Sequence, residues 1–390
     1  MLAIKTVQQF YAPDENILHL LEQFRQMMNL CIQIGIAENV SSLKALCMKS
    51  YKQLAEYDAM SYYKLCAISA AVGVLRNHRK TVRRTGSSRT PHVRRLRLTT
   101  CYGVKLQNGS LLLPHRPRKP LRIPLTGHVQ ATIRGYPVRS VTLTRDKLAL
   151  TYASHVAEIR PEGFVGVDRN LDNVTLASSD GSVVRYDISG ATRVKAVYRE
   201  IRSHIRRNDV RIRREISSKY GLKQREKVKQ ILHHASKQIV DEAKRERFGI
   251  IMENLTGIRA LYRRGNGQGR SYRGRMNSWS FAEFQRQVEY KARWEGLPVV
   301  YVRPHGTSAK CSICGSRLAR IPEENRQLHC PSCGVTVDRD VNAARNILAR
   351  GVRFAPFALP IEAMVQEPAA GGNPESRRER VSSKTHEPKS

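Results

Sequence analysis

Residues 163–184 read GFVGVDRNLDNVTLASSDGSVV. The apolar run Phe164-Val-Gly-Val ends at Asp168, a polar turn follows, and a second apolar run ends in Ser179-Asp180-Gly181. This spacing predicts a buried strand, a turn and a second strand closing on a hairpin. An aspartate at the end of a core strand emerges where the sheet meets solvent. Alone it is weak evidence, because such a residue is more often a turn former or helix cap.

Two more acids stand at comparable places. Glu253 ends the short apolar segment Gly249-Ile-Ile-Met, and Asp340 opens the helical run Val341-Asn-Ala-Ala-Arg-Asn-Ile-Leu. Two acids at strand ends and one at a helix start are able to converge on one point. Hard divalent cations take oxygen ligands, and two-metal phosphodiester hydrolysis needs bridging carboxylates, with the ions about 3.5–4 Å apart. Asp338 lies two residues before Asp340, and the residues alone leave either as the third acid.

Between the second and third acids stand Cys311-x2-Cys314 and Cys330-x2-Cys333, fifteen residues apart. That is the spacing of a four-thiolate zinc ribbon. Gly315 and Gly334 follow the second cysteine of each pair, where the backbone must turn its N–H groups toward sulfur. Four thiolates complete a tetrahedron and leave no position for water, so the spacing predicts one structural Zn2+. Cys31, Cys47, Cys66 and Cys101 are scattered among apolar neighbours and read as buried thiols. This usage fits a reducing cytoplasm and argues against a secreted disulfide scaffold.

The chain has 390 residues, with 68 Lys+Arg against 33 Asp+Glu and a net charge of +35. Such an excess repels itself unless a polyanion neutralises it, which favours a nucleic-acid partner. The start, MLAIKTVQQFYAP, lacks the apolar run of a signal peptide, and the apolar stretch near Cys66–Leu75 is too short to span a membrane. No membrane partner is expected. The location expected is cytoplasmic and nucleoid-associated.

The N-terminal half is read more coarsely. Residues 2–11 suggest one strand, and Asp14 to about Asn77 carries helical periodicity, with a second run from about Leu43 to Leu75. The basic stretch after it, closing on Gly86, suggests a loop. From Val93 to Tyr152, short alternating segments suggest a small β-barrel or sandwich. Beyond Asp168, a basic helical stretch spans about Val194–Arg247, and a Gly/Arg-rich loop, Arg263–Arg275, suggests a lid. A helix runs from Ser280 to about Glu295, and a strand around Pro298–Pro304 leads to the cysteines.

The series GVDRNLDNVTLA, IIMENLTGIR, TSAKCSICGS, HCPSCG and DRDVNAARNIL resembles the TnpB family of transposon-encoded RNA-guided nucleases, relatives of type V CRISPR effectors. The likeness is close from about residue 160 to 350 and is one of layout only before that. It implies an α+β multidomain fold with an RNase H-like (RuvC) α/β core and an inserted zinc ribbon. It also implies an N-terminal wedge β-barrel interrupted by a helical recognition domain.

The boundaries expected are 1–12 and 91–160 for the wedge, 13–90 for recognition, and 161–306 with 337–352 for the nuclease. The ribbon is expected at 307–336 and a disordered tail at 353–390. The resemblance further implies Asp168, Glu253 and Asp340 as catalytic acids holding two Mg2+ ions. It implies a guide RNA from the mobile element and a double-stranded DNA target beside a short flanking motif. The expected activity is endonucleolytic cleavage, and the alternatives are a non-cleaving RNA-guided binder, an unguided RuvC-type nuclease or a transposase.

Overall fold

A computed structural model of the chain describes residues 1–116, 119–204, 210–263, 265–322 and 324–354. The expected tail lies outside the described residues except at 353 and 354, which close the last helix. The chain divides into two compact units, Leu2–His155 and Met1 with Val156 onward. Among the described residues no helix is long and apolar enough to cross a membrane.

The first unit opens with β1 (Leu2–Phe10). Three helices follow: α1 (Glu15–Ala37), α2 (Leu43–Ser50) and α3 (Ser61–Thr85). The Asp14 carboxylate caps α1 by accepting from the Ile17 amide at 2.7 Å. Ile17, Leu20, Leu21, Phe24 and Met28 recur at helical spacing and are buried, as are Ile68, Val72 and Leu75 of α3. The single helical run expected over Leu43–Leu75 is broken instead, by a 3-10 turn at Gln53–Glu56 and the extended residue Tyr57. The basic stretch expected as a loop continues α3 to Thr85, where Gly86 in the left-handed conformation stops it.

The strands β2 (Arg97–Thr100), β3 (Lys105–Gln107), β4 (Ser110–Arg116) and β5 (Lys119–Pro124) come next. Helix α4 (Gly127–Ile133), β6 (Val138–Thr144) and β7 (Lys147–His155) complete the unit. Where one small barrel or sandwich is expected, the strands are divided between two sheets. Among the described residues the strands form an open sheet ordered β1-β7-β6-β2 and a separate three-stranded sheet, β3-β4-β5. The segment around Val129, expected as a strand, is α4, because the Thr126 hydroxyl caps it by accepting from the Val129 amide.

The second unit is built on β8 (Gly163–Arg169), β9 (Asn173–Ser178) and β10 (Val183–Asp187), an antiparallel run. Then come α5 (Ser189–Ser203), α6 (Val210–Arg245) and β11 (Phe248–Glu253). Next are α7 (Arg270–Ser278), α8 (Phe281–Trp294) and β12 (Val299–Val302). The sheet order is β10-β9-β8-β11-β12, with β8, β11 and β12 parallel. A second small sheet is made of β13 (Ala319–Ile321), β14 (Glu324–His329) and β15 (Thr336–Asp338), and α9 (Arg339–Phe354) ends the described chain. Half of the expected Arg263–Arg275 lid loop is therefore helix α7.

Each face of the five-stranded sheet has its own apolar core. On one, Val165, Val167, Ile250 and Met252 pack with Leu232, Ile239 and Val288 of α6 and α8. On the other, Phe164, Ile251 and Val302 pack with Ile347 and Leu348 of α9. Full burial of an aromatic such as Phe164 stabilises the fold by about 2–3 kcal/mol.

Candidate metal centres and nucleic-acid interface

Successive side chains on a strand point to opposite faces. Since Val165, Val167, Ile250 and Met252 face α6 and α8, Asp168 and Glu253 fall on the face covered by α9. The parallel register sets Val167 opposite Met252, so one step further brings Asp168 beside Glu253 on neighbouring strands. Asp340 sits in the first turn of α9, over this same face. Gly166 makes that approach possible: a Cβ there would stand 2.4 Å from the Ala344 carbonyl oxygen and 2.6 Å from the Leu348 nitrogen. Any side chain at 166 would push the helix backbone off the strand.

The three carboxylates are 8%, 8% and 2% exposed, which is costly for charged groups without a counter-ion. Burial, then the charges of Glu253 and Asp340, raise the Asp168 carboxyl to about 7, against the Asn170 hydrogen bond. Burial raises Glu253 as well, against the Thr307 hydroxyl, which donates to its Oε1 at 2.6 Å. Asn170 donates to Asp168 at 2.8 Å, and Asn173 to Asp340 at 3.4 Å. On the opposite face, the buried Arg169 guanidinium donates to the Glu253 and Phe281 carbonyls and to Gln285. It ties the end of β11 to α8.

The acids thus share one neighbourhood. Among the described residues, however, only the four cysteines bring three or more ligand atoms within reach of a single ion. Like charges repel, and a divalent cation is what draws such carboxylates together.

Asp338 is accounted for differently. Its Oδ1 accepts from the Asp340 and Val341 amides at 2.9 and 3.0 Å and from Arg185 at 2.8 Å. It is the cap of α9, and these bonds hold its carboxyl below the usual range despite partial burial.

The two cysteine pairs sit on matching turns. Gly315 and Gly334 donate to the carbonyls of Cys311 and Cys330 at 3.0 and 2.9 Å, with φ of +79° and +71°. The four sulfurs lie within 4.8 Å of one another, with Cys311–Cys333 at 3.8 Å and Cys314–Cys330 at 3.3 Å. A tetrahedral Zn–S bond of about 2.3 Å gives sulfur–sulfur edges of about 3.8 Å, so this donor set fits zinc. Hydrogen bonds, first from the Ser316 backbone, hold the Cys314 thiol down to about 6, while, against the Val335 backbone, bonds to the neighbouring thiols, first Cys330, push Cys333 up to about 12.

A third feature is electropositive. A cavity of about 790 Å³ between α5, α6 and α7 is lined by Lys195, Arg199, Arg202 and Arg270, with no carboxylate among its described lining residues. Lys195 donates to the Ser278 carbonyl and the Ser280 hydroxyl. Burial, then Arg259 and Arg199, lowers its amine to about 8. Such uncompensated charge is relieved by an anion.

The sequence reading missed Gly166, Asn173, Arg169 and Thr307 as parts of the site. The signal for Gly166 was a glycine inside an otherwise apolar strand, which marks close backbone approach. The other three carried no periodic or spacing signal.

The profile of the Cas12f1-like TNB domain matches residues 281–347, which span α8 to α9 and include the four cysteines and Asp340. A TnpB-like protein of Methanocaldococcus jannaschii is 30% identical over 239 residues, 59% of this chain and 84% of that protein. The chain belongs to the TnpB family. A CRISPR-associated endodeoxyribonuclease, Cas12f1 of Sulfoacidibacillus thermotolerans, is 36% identical to this TnpB-family chain over 120 residues. That match covers 30% of the chain and 25% of the relative. Cas12f1 solved by cryo-EM in complex with guide RNA and target DNA aligns with a TM-score of 0.59 at 16% identity, over 85% of this chain and 82% of that one. At that identity the likeness establishes a shared mixed α/β fold.

Proposed function

We propose that this TnpB-family protein is an RNA-guided DNA endonuclease of an insertion-sequence-type mobile element, cutting beside a short flanking motif by metal-dependent phosphodiester hydrolysis. The observation that carries this reading is the placement of Asp168, Glu253 and Asp340 on one face of adjoining elements, buried and electrostatically coupled. The five-stranded sheet with α9 would be the RuvC-like core, Cys311–Cys333 the zinc ribbon, and the first unit the wedge and recognition regions. Asp168, Glu253 and Asp340 would hold the Mg2+ ions. Bound there, Mg2+ would supply an activated water and neutralise charge at the scissile phosphate.

The chain's own groups do the rest. Asn170, Asn173 and Thr307 orient the carboxylates, Asp338 fixes the start of α9, and the cations lining the cavity by Lys195 bind phosphodiester backbone. The four cysteines would hold one structural Zn2+.

The test purifies the protein with its bound RNA and scores cleavage of a guide-matched duplex in Mg2+, with binding measured in parallel. Asp168→Asn, Glu253→Gln and Asp340→Asn should each lose cleavage by roughly 10³-fold or more while binding persists, because acids sharing metals act as a unit. Variants that cut like the parent sink the nuclease reading. A parent that binds guide and target without cutting marks a binder, and absence of any discrete copurifying RNA points to an unguided nuclease or transposase.

A further inference from the structure

The connection from β12 to the first cysteine knuckle is gripped by α9 at three places. Asn342 donates to the Lys310 carbonyl at 2.8 Å and accepts from the Ser312 amide at 2.8 Å. Asn346 donates to the Thr307 and Lys310 carbonyls at 2.8 and 2.7 Å. Arg350 donates to the Arg303 and His305 carbonyls at 3.0 and 2.7 Å. These residues recur every four positions and so line one face of the helix. Backbone atoms on both sides of Cys311, at Lys310 and Ser312, are thus bound to a buried side chain two residues from Asp340. The gripped loop carries Thr307, whose hydroxyl reaches Glu253.

We propose that Thr307 is the positioning residue of Glu253, and that Asn342 and Asn346 hold it by clamping the knuckle loop to the helix that bears Asp340. The cysteine site and the carboxylate site are thereby coupled. This rests on the reading of the three acids as a metal site.

The chemistry of the hydroxyl supports the assignment. Thr307 Oγ1 stands 2.6 Å from Glu253 Oε1 and 2.9 Å from the Pro304 carbonyl, and a hydroxyl has one proton to give. An ionised carboxylate outcompetes a neutral carbonyl for it. No other described residue bonds to the Glu253 carboxylate, so Thr307 fixes Oε1 and leaves Oε2 for a cation. At 4% exposure, water does not readily replace the hydroxyl. A metal held by Cys311 fixes the backbone that Asn342 spans, so losing it loosens the loop and with it the donor to Glu253.

The test uses full-length, zinc-loaded protein, with Mn2+ as the probe of the carboxylate site. Calorimetric Mn2+ binding, zinc content and thermal midpoint are measured for the parent, Thr307→Val, Thr307→Ser, Asn346→Ala and Asp168→Asn. Thr307→Val removes the donor at nearly constant volume and should weaken Mn2+ by about 10- to 100-fold, the usual effect of losing a partner of a ligating group. Its zinc content should remain that of the parent. Thr307→Ser keeps the hydroxyl and should restore most of the affinity. Asn346→Ala should weaken Mn2+ and also release zinc to a chelator several times faster.

A Thr307→Val protein that loses stability but binds Mn2+ like the parent reduces Thr307 to a structural role. A folded Asn346→Ala variant with parental Mn2+ affinity and zinc release overturns the clamp, even if Thr307→Val fails to fold. Should Asp168→Asn itself bind Mn2+ like the parent, the metal-site reading beneath the proposal fails instead.

Discussion

The cysteine site and the carboxylate site are both candidate metal centres in one unit, yet they are assembled in opposite ways. The four thiols come from two short turns only fifteen residues apart, and two of them remain exposed. Their positions are set by local backbone, chiefly the left-handed glycines 315 and 334. The three acids come from two strands and a helix far apart in sequence, and all are buried. Their positions are set by sheet register and by how closely α9 lies on β8. Apart from the α9 asparagines that grip the first knuckle, a locally built site depends little on packing elsewhere, whereas a site built across layers inherits every packing error between them.

Glycine separates the two cases most sharply. Gly166→Ala would force a Cβ to within 2.4 Å of the α9 backbone, where no flexible side chain exists to yield. The expected cost is about 3 kcal/mol, at the upper end for overpacking, with α9 displaced and cleavage largely lost. Gly334→Ala meets nothing within 4 Å and pays only for its φ of +71°, about 1–2 kcal/mol. Chemical denaturation with zinc and cleavage assays checks both. Equal losses of stability and activity in the two variants would break the contrast.

The same contrast explains what could be read from the sequence. The zinc spacing is a short-range pattern, and the structure brings its four sulfurs together. Strands β8, β9 and β11 were legible because buried apolar runs bounded by turns leave few alternatives. That Asp168 and Glu253 lie side by side was implied by the family resemblance alone and was not legible from periodicity or spacing. It depends on β8 pairing with β11 across α5 and α6, and one step of register would have turned Glu253 to the other face. Arg169, the next residue along β8, faces α8 because side chains alternate along a strand. The N-terminal half misled where composition stood in for geometry. The basic run after Leu75 is good helix-forming sequence, and its charge says nothing about order.

Protonation offers a gentler probe of the cross-layer site. The Asp168 carboxyl is raised to about 7 in the fold, so its contribution favours the metal-free fold at low pH and is lost as pH rises through about 7. Cation binding needs the carboxylate and must expel the proton. Mg2+ affinity should therefore fall by about fivefold between pH 7 and pH 6, with close to one proton released per binding event at pH 6. Calorimetry in buffers of different ionisation enthalpy measures both. Affinity that is flat from pH 6 to 8 would show that Asp168 is already ionised without the metal.

The smallest effect expected concerns Asp338, and it decides between two acids that only the family resemblance separated in the sequence. Asp338 spends one oxygen on two amides of the first turn of α9 and on Arg185. Removing such a cap costs about 1 kcal/mol, and the exposed side of the Arg185 pair adds little. Asp338→Ala should therefore lower stability by that amount and leave cleavage reduced by no more than several-fold, because Asp340 stays in the helix and the rest of the turn holds it. Asp338→Asn should lose less, since asparagine also caps. The measurement is denaturant unfolding alongside single-turnover cleavage. A dead Asp338→Asn enzyme of normal stability, with Asp340→Asn still cutting, would move the third ligand by two residues. Asp338 would then ligate through Oδ2, the oxygen that the cap does not use, while Oδ1 keeps the start of α9 in place.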